Sequence, residues 1–296
     1  MRHKVADVEG PVHYLDFGGS GTPLLMVHGL GGAAINWMSV GPQLARTHRV
    51  LALDLAGFGQ TPLLDRSATV GANTALVHRF VETVIGEPVV LMGNSMGGHI
   101  AVLEAAAHPD AVRSLVLVDP AIPGPFVRRP PPLMLGAMAA LSIPGLAQTI
   151  LDHRVRSLGP EGLVTQTLAL VSADPARVPS DVVAAHTQLT RERSGLGRQN
   201  GRAYIQAARS ISLRIASPAF WARVDAVTAP TLVVHGSADR IIPLQSAREL
   251  VRRRPDWRLK VLDGVGHVPM METPALFMQA LEGWSGYRIA SAAAAS

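Results

Sequence analysis

A chain of 296 residues that is 48% hydrophobic can bury a full-sized core, and one large α/β domain with an insertion fits that length better than two unrelated domains. It has no cysteine, which excludes disulfides, thiolate nucleophiles and cysteine-held zinc or iron–sulfur centres. The formal charge of +5 comes mostly from scattered arginines, and the clusters Arg128-Arg129 and Arg252-Arg253-Arg254 lack the nearby aromatics of a nucleic-acid surface, so they read as solvated faces.

The N-terminus is polar through Pro11, and its first apolar run, Leu24 to Val27, is far too short for a secretory signal core. The longest apolar stretch, Leu133 to Leu141, is interrupted by Gly136 and falls well short of a bilayer crossing. A cytoplasmic protein without a transmembrane segment is expected.

In chain order, short apolar strands are predicted at Val12 to Phe17, Leu24 to Val27, Val50 to Leu53, Val89 to Met92 and Val112 to Val118. Helical stretches lie between them around Trp37 to Arg46, Asn73 to Ile85 and Gly98 to His108. Continuous apolar strands alternating with helices indicate a mostly parallel central sheet covered by helices on both faces. The interval 121–224 loses this rhythm. It opens on proline-rich turns and gives helix-like segments near Leu133 to Ser142, Leu146 to Leu158, Leu163 to Val171, Val182 to Arg193 and Tyr204 to Ile215. The strand–helix grammar then returns with Thr231 to Val234, Leu244 to Arg253, Leu259 to Leu262 and Pro274 to Trp284. The expected organisation is an α/β core over 1–120 and 225–288, an inserted helical cap at 121–224, and a flexible low-complexity tail at 289–296.

Three polar sites fall at the carboxyl ends of predicted strands, where open α/β sheets present their chemistry. The first is Gly93-Asn-Ser-Met-Gly97, a G-x-S-x-G elbow after Val89 to Met92 that holds Ser95 outward on a sharp turn. As an isolated pentad it reads equally as a Gly/Ser loop or a helix N-cap. The second is Thr231-Leu-Val-Val-His-Gly-Ser-Ala-Asp239, and the third Val261-Leu-Asp-Gly-Val-Gly-His267. A serine needs an imidazole to take its proton, and that imidazole needs a carboxylate to fix its tautomer. The chain order Ser95, Asp239, His267 is the one α/β-hydrolases use. Asp119, Asp225 and Asp263 are rival acids, Asp119 the strongest because it too follows a strand. The oxyanion hole needs two backbone N–H groups. Met96, directly after the nucleophile, supplies one; Leu30 in His28-Gly29-Leu30-Gly31-Gly32 supplies the other, with Gly31 as the alternative. The glycines Gly29 and Gly31 let that loop approach substrate, and His28 braces it.

The chain resembles the α/β-hydrolase fold superfamily over nearly its whole length. The matching pieces are His28 to Gly32, Asp54-Leu-Ala-Gly-Phe-Gly59, the elbow through Gly98, His235-Gly-Ser-Ala-Asp-Arg240 and Gly266-His-Val-Pro-Met-Met-Glu-Thr-Pro274. The resemblance implies nucleophile, acid and base roles for Ser95, Asp239 and His267, a structural role for Asp54, and a cap in the insertion. The elbow is similar to that of the meta-cleavage-product C–C hydrolases. Those enzymes usually place a tryptophan soon after the histidine, whereas here His267 is followed by Val268, Pro269 and Met270. They also carry a cap arginine for the substrate carboxylate, a role open to Arg191, Arg193, Arg198 or Arg202.

The expected activity is carboxylic ester hydrolysis through an acyl-enzyme, on a small-molecule ester. The apolar, methionine-rich segment Pro132 to Pro144 points to a lipophilic acyl or alcohol group, unless it is only the packing core of the cap. Alternatives are C–C hydrolysis and a non-catalytic binding role on the same fold. No metal motif, no G-x-G-x-x-G and no Walker lysine is present, so no cofactor and no metal are expected. Neither a nucleic-acid nor a membrane partner is expected, and a homo-oligomer is left open.

Overall fold

The computed structural model describes residues 1–124, 145–194 and 198–284, together with the isolated positions 136, 141 and 143. The expected helix at 133–142, most of the methionine-rich segment and the tail at 289–296 lie outside the described residues.

Eight strands form one sheet: β1 (Arg2–Asp7), β2 (Pro11–Gly18), β3 (Pro23–Val27), β4 (Arg49–Leu53), β5 (Val89–Asn94), β6 (Val112–Val118), β7 (Thr231–Gly236) and β8 (Arg258–Leu262). Their spatial order is β1-β2-β4-β3-β5-β6-β7-β8. The pairs β1/β2 and β2/β4 are antiparallel, and all others are parallel. The parallel strands β3 and β5 are buried end to end, as their unbroken apolar runs require when helices cover both faces. Successive side chains point to opposite faces, so Leu25, Val27, Leu51 and Leu53 enter one apolar layer. Leu24, Met26, Val50 and Ala52 enter the other.

Strand β1 has no apolar alternation. It is an edge strand whose RHKVAD residues are nearly all exposed, and that polarity hides it from pattern reading. The expected helix at Trp37 to Arg46 is instead a 3-10 turn at Ala34–Trp37 and a single helical turn at Gly41–Leu44, the latter opened by Gly41-Pro42.

Helix α1 (Val70–Phe80) starts earlier than the apolar pattern does, because the Thr69 hydroxyl accepts from the Ala72 N–H at 3.4 Å and caps it. Helix α2 (Met96–Ala107) follows the elbow. The excursion between β6 and β7 contains α3 (Leu146–Val171), α4 (Ser180–Ser194), α5 (Arg198–Ile215) and α6 (Ala219–Ala226). The break expected between 158 and 163 is a kink inside α3, where Gly159 has φ 61° and Pro160 follows. Helix α6 runs through the boundary expected at 224/225, because its Phe220 and Val224 are buried in the same layer as the sheet. Among the described residues the excursion has no separate core: Ala203, Ala207 and Ile211 join one layer, while Val164, Leu168 and Val182 join the other. After β7 come α7 (Leu244–Arg253), a short turn at Pro269–Glu272 and α8 (Pro274–Leu281). Among the described residues no helix is long and apolar enough to cross a membrane.

Candidate active site

The sheet delivers the candidate side chains from three strand ends. Ser95 stands between β5 and α2 with φ 55° and ψ −118°, a backbone conformation that costs a non-glycine residue about 1–3 kcal/mol. Ties on both sides hold the turn. The Ser95 N–H donates to the Val118 carbonyl at 2.9 Å, and the Ser95 carbonyl accepts from Ala121 at 3.0 Å and His99 at 3.1 Å. Gly97 is required by close approach, since a Cβ there would lie 2.3 Å from the Val27 carbonyl oxygen. Gly29 faces the serine: a Cβ on it would stand 2.9 Å from the Ser95 Cβ.

His267 and Asp239 meet directly. The imidazole Nδ1–H donates to Asp239 Oδ2 at 2.7 Å, which leaves the Nε2 lone pair available. Asp239 Oδ1 accepts from the N–H groups of Ile241 at 2.7 Å and Ile242 at 3.0 Å. Burial works to raise the Asp239 carboxyl, but its electrostatic interaction and hydrogen bond with His267, helped by His235 and the Ile242 N–H, outweigh it and hold the group below its ordinary value. The serine loop is tied to the histidine loop as well, because the Asn94 side-chain amide donates to the His267 carbonyl at 3.0 Å.

The rival acids separate cleanly. Asp225 pairs with Arg253 on the surface, and Asp263 accepts from the Ser237 hydroxyl at 2.9 Å in an exposed turn. Asp119 is close, since oxygen atoms of Asp119 and Asp239 and a nitrogen of His235 lie within 4.8 Å of one another. Asp119 is fully buried, and its Oδ1 accepts from the Gly236 N–H at 2.9 Å. Burial first, then the charge of Asp239, pushes the Asp119 carboxyl well above its ordinary value. Two buried carboxyls this close do not both ionise: Asp239 is the anion and Asp119 holds the proton. His235 is likewise kept neutral by burial, and its Nε2–H donates to the Ile242 carbonyl at 2.9 Å.

The glycine-rich loop after β3 is oriented by His28. The Leu55 N–H donates to His28 Nε2 at 3.1 Å, so the ring proton sits on Nδ1 and is donated to the Gly29 carbonyl at 2.7 Å. Burial lowers the affinity of His28 for a second proton. The Gly29 carbonyl also accepts from Gly32 at 3.1 Å. In a trans peptide the N–H of the next residue points opposite to the carbonyl, so this pair of bonds turns the Leu30 N–H the other way. Among the described residues that N–H has no acceptor. Met96 is the first residue of α2, where an N–H has no partner within the helix. Gly31, at φ 73°, lies under the ring of Tyr204 from α5. Asp54 accepts from His13, Ala34 and Gln60, so it braces the segment before Gly59.

One residue without a role in the sequence reading organises the histidine loop. Glu272 is buried, and its Oε2 accepts from Gly266 at 2.8 Å and Ala173 at 3.0 Å, while Oε1 accepts from Asp174 at 3.0 Å. The His267 N–H in turn donates to the Val171 carbonyl at 2.7 Å. The only signal in the sequence was a glutamate in an otherwise apolar stretch, Val-Pro-Met-Met-Glu. Two of the four arginines considered for a substrate carboxylate are engaged elsewhere. Arg191 pairs with Glu161 on the surface, and Arg193 donates to the Gly57 carbonyl at 2.6 Å and to that of Gly59. Arg202 is exposed, and the Arg198 side chain lies outside the described residues.

A serine on a strained turn, a histidine with a free Nε2 and a paired carboxylate, and nearby backbone amides without a partner in their own turn suit nucleophilic attack on an acyl carbon. Comparison with known proteins agrees on the family. The sequence pattern of the alpha/beta hydrolase fold matches residues 22–274. A 2-hydroxymuconate semialdehyde hydrolase from Pseudomonas sp. (strain CF600) is 30% identical over 273 residues, spanning 88% of this chain and 85% of that protein. The monoacylglycerol lipase of Mus musculus is 28% identical over 260 residues, spanning 85% of this chain and 71% of that protein. A solved structure of a serine hydrolase involved in carbazole degradation matches with a TM-score of 0.71 at 25% identity, covering 94% of this chain and 96% of that one. The chain belongs to the α/β-hydrolase fold family and is a hydrolase of that fold.

Proposed function

We propose that the chain hydrolyses carboxylic esters through an acyl-enzyme formed on Ser95. The observation that supports this reading is the 2.7 Å bond from His267 Nδ1 to Asp239, which leaves the Nε2 lone pair free, on a loop that Asn94 ties to the elbow. His267 Nε2 takes the Ser95 hydroxyl proton as Oγ attacks the ester carbonyl. The N–H groups of Met96 and Leu30 receive the oxyanion. The tetrahedral adduct collapses, the C–O bond of the ester breaks, and His267 gives its proton to the departing alcohol. Water then repeats the sequence: His267 takes its proton, the hydroxide adds to the acyl carbon, and Ser95 leaves reprotonated.

The helices between β6 and β7 would act as the cap, with Tyr204 over Gly31 near the acyl position. A lipophilic acyl or alcohol group suits the apolar composition of that region. C–C hydrolysis of meta-cleavage products is the second reading, favoured by the 30% identical semialdehyde hydrolase. Against it, no tryptophan stands directly after His267, where Val268, Pro269 and Met270 follow, and Arg191 and Arg193 are already engaged.

The test is a steady-state panel of p-nitrophenyl esters from acetyl to palmitoyl, beside a 2-hydroxy-6-oxo-dienoate, with Ser95→Ala as the control. Ester turnover that disappears in the control is the expected result. Dienoate cleavage far above ester turnover would replace it with the C–C reading. A folded protein inert to both would leave a binding role.

A further inference from the structure

Away from the elbow, α1 and α2 present two matched pairs to each other. His78 and Glu82 stand four residues apart at the end of α1 and its continuation, and Glu104 and His108 stand four residues apart at the end of α2. That spacing places each pair on one face, one turn apart. His78 Nδ1 lies 2.8 Å from Glu104 Oε1, and its Nε2 lies 3.4 Å from Glu82 Oε1. The rings of His78 and His108 stack with centroids 3.5 Å apart and planes 15° from parallel. One donor atom from each of His78, Glu104 and His108 falls within 4.8 Å of the other two. Glu104 is fully buried, yet its Oε2 has no hydrogen-bond partner. A buried carboxylate oxygen left unfilled needs a reason.

We propose that His78, Glu104 and His108 form a binding site for a divalent transition-metal ion, with Glu82 or water as a further ligand. Two imidazoles and a carboxylate match zinc, cobalt or nickel, whereas an oxygen-only set would match magnesium or calcium. The ion takes the place of the proton shared between His78 and Glu104, and that proton passes to solvent. Glu104 is already fixed in place. His108 is half-buried at the end of α2 with no side-chain hydrogen bond among the described residues, so its ring can turn edge-on to the ion. The ion would clip α1 to α2, the helix whose first residue is Met96. No linear motif marks the site, because each helix contributes only half of it.

The test uses the tag-free full chain, since the readout must not include an affinity tag. Equilibrium dialysis against zinc and visible absorption with cobalt measure binding directly. The wild type should bind one equivalent that His108→Gln and Glu104→Gln lose, and cobalt should give d–d bands only in the wild type. Zinc at one hundred times its Kd should raise the wild-type Tm by about 4 °C and leave His108→Gln unmoved. His108 caps a helix end, so His108→Gln decides the matter if Glu104→Gln fails to fold. A second histidine pair, His3 and His13 at 3.0 Å, needs its own control, and His3→Gln should retain the equivalent. Unchanged stoichiometry in His108→Gln, loss of the equivalent in His3→Gln, or no zinc uptake by the wild type at millimolar metal would overturn the proposal.

Discussion

Glu272 lets the support of the histidine loop be measured apart from the histidine itself. Its carboxylate takes three backbone N–H groups, those of Gly266, Ala173 and Asp174, inside a buried pocket. Glu272→Gln keeps the shape but leaves one acceptor oxygen, and its new NH2 faces N–H donors. The side chain will orient to keep the Gly266 and Ala173 bonds, so the Asp174 N–H loses its partner. A hydrogen bond to a charged group contributes about 1.5–3 kcal/mol, and the two retained bonds weaken when their acceptor becomes neutral. The sum is about 3–4 kcal/mol. With an m-value near 3 kcal/mol/M, the urea midpoint should fall by about 1 M. His267 follows Gly266 immediately, so its imidazole shifts with the loop, and a displacement of about 1 Å costs on the order of 10²-fold in rate. Equilibrium urea melts read the first effect, and the rate of Ser95 labelling by a serine-reactive phosphonate reads the second. An unchanged midpoint together with an unchanged labelling rate would refute the account of Glu272 as the clamp.

The two buried acids should behave differently. Asp239→Asn should lower turnover by about 10⁴-fold through the wrong His267 tautomer, while Asp119→Asn, which mimics a protonated carboxyl, should stay within about tenfold of wild type; the reverse order of kcat values would reassign the acid. Gly29→Ala should cost at least about tenfold in kcat, because its Cβ would stand 2.9 Å from the Ser95 Cβ, and a wild-type rate would show that the loop has slack. His99 is buried on Phe220 with ring centroids 4.0 Å apart, and its pKa is lowered to about 4, mainly by burial. The unfolded chain therefore binds the extra proton first, so this contribution is complete above the ordinary histidine value of 6.5 and is lost as pH falls toward about 4. Urea melts across that window should show His99→Phe losing about 3 kcal/mol less than wild type, and parallel pH profiles would contradict the linkage.

Ser95, Asp239 and His267 stand out in the sequence because each follows an apolar strand, and a parallel sheet brings such strand ends to one edge. The elbow glycines were legible for the same steric reason that the structure shows at Gly97. Asp119 stays a rival to Asp239 in the sequence, since both follow strands; the His267 hydrogen bond to Asp239, with burial and the Asp239 charge pushing Asp119 up, separates the two. Glu272 was missed because two of its partners, Ala173 and Asp174, are 99 and 98 residues away, and all three offer only backbone. Strand β1 was missed because an exposed edge needs no apolar face. The sequence leaves the carboxylate role open to four arginines alike, and the carbonyls of Gly57 and Gly59 that occupy Arg193 leave no trace in composition.

Strands β6 and β7 hydrogen-bond directly to each other, with Leu115 opposite Thr231 and Val118 opposite Val234. Everything the chain builds between Asp119 and Pro230 is thus a detour between two neighbours that would touch without it. The detour leaves at the end of β6 and returns at the start of β7, so its length can change without altering the register of those two strands. A library that exchanges this stretch for that of a relative should recruit new acyl groups while keeping the same nucleophile. The exchanged stretch must retain Ala173 and Asp174, midway along it, and their contacts with Glu272, because there the replaceable part and the permanent part share a carboxylate.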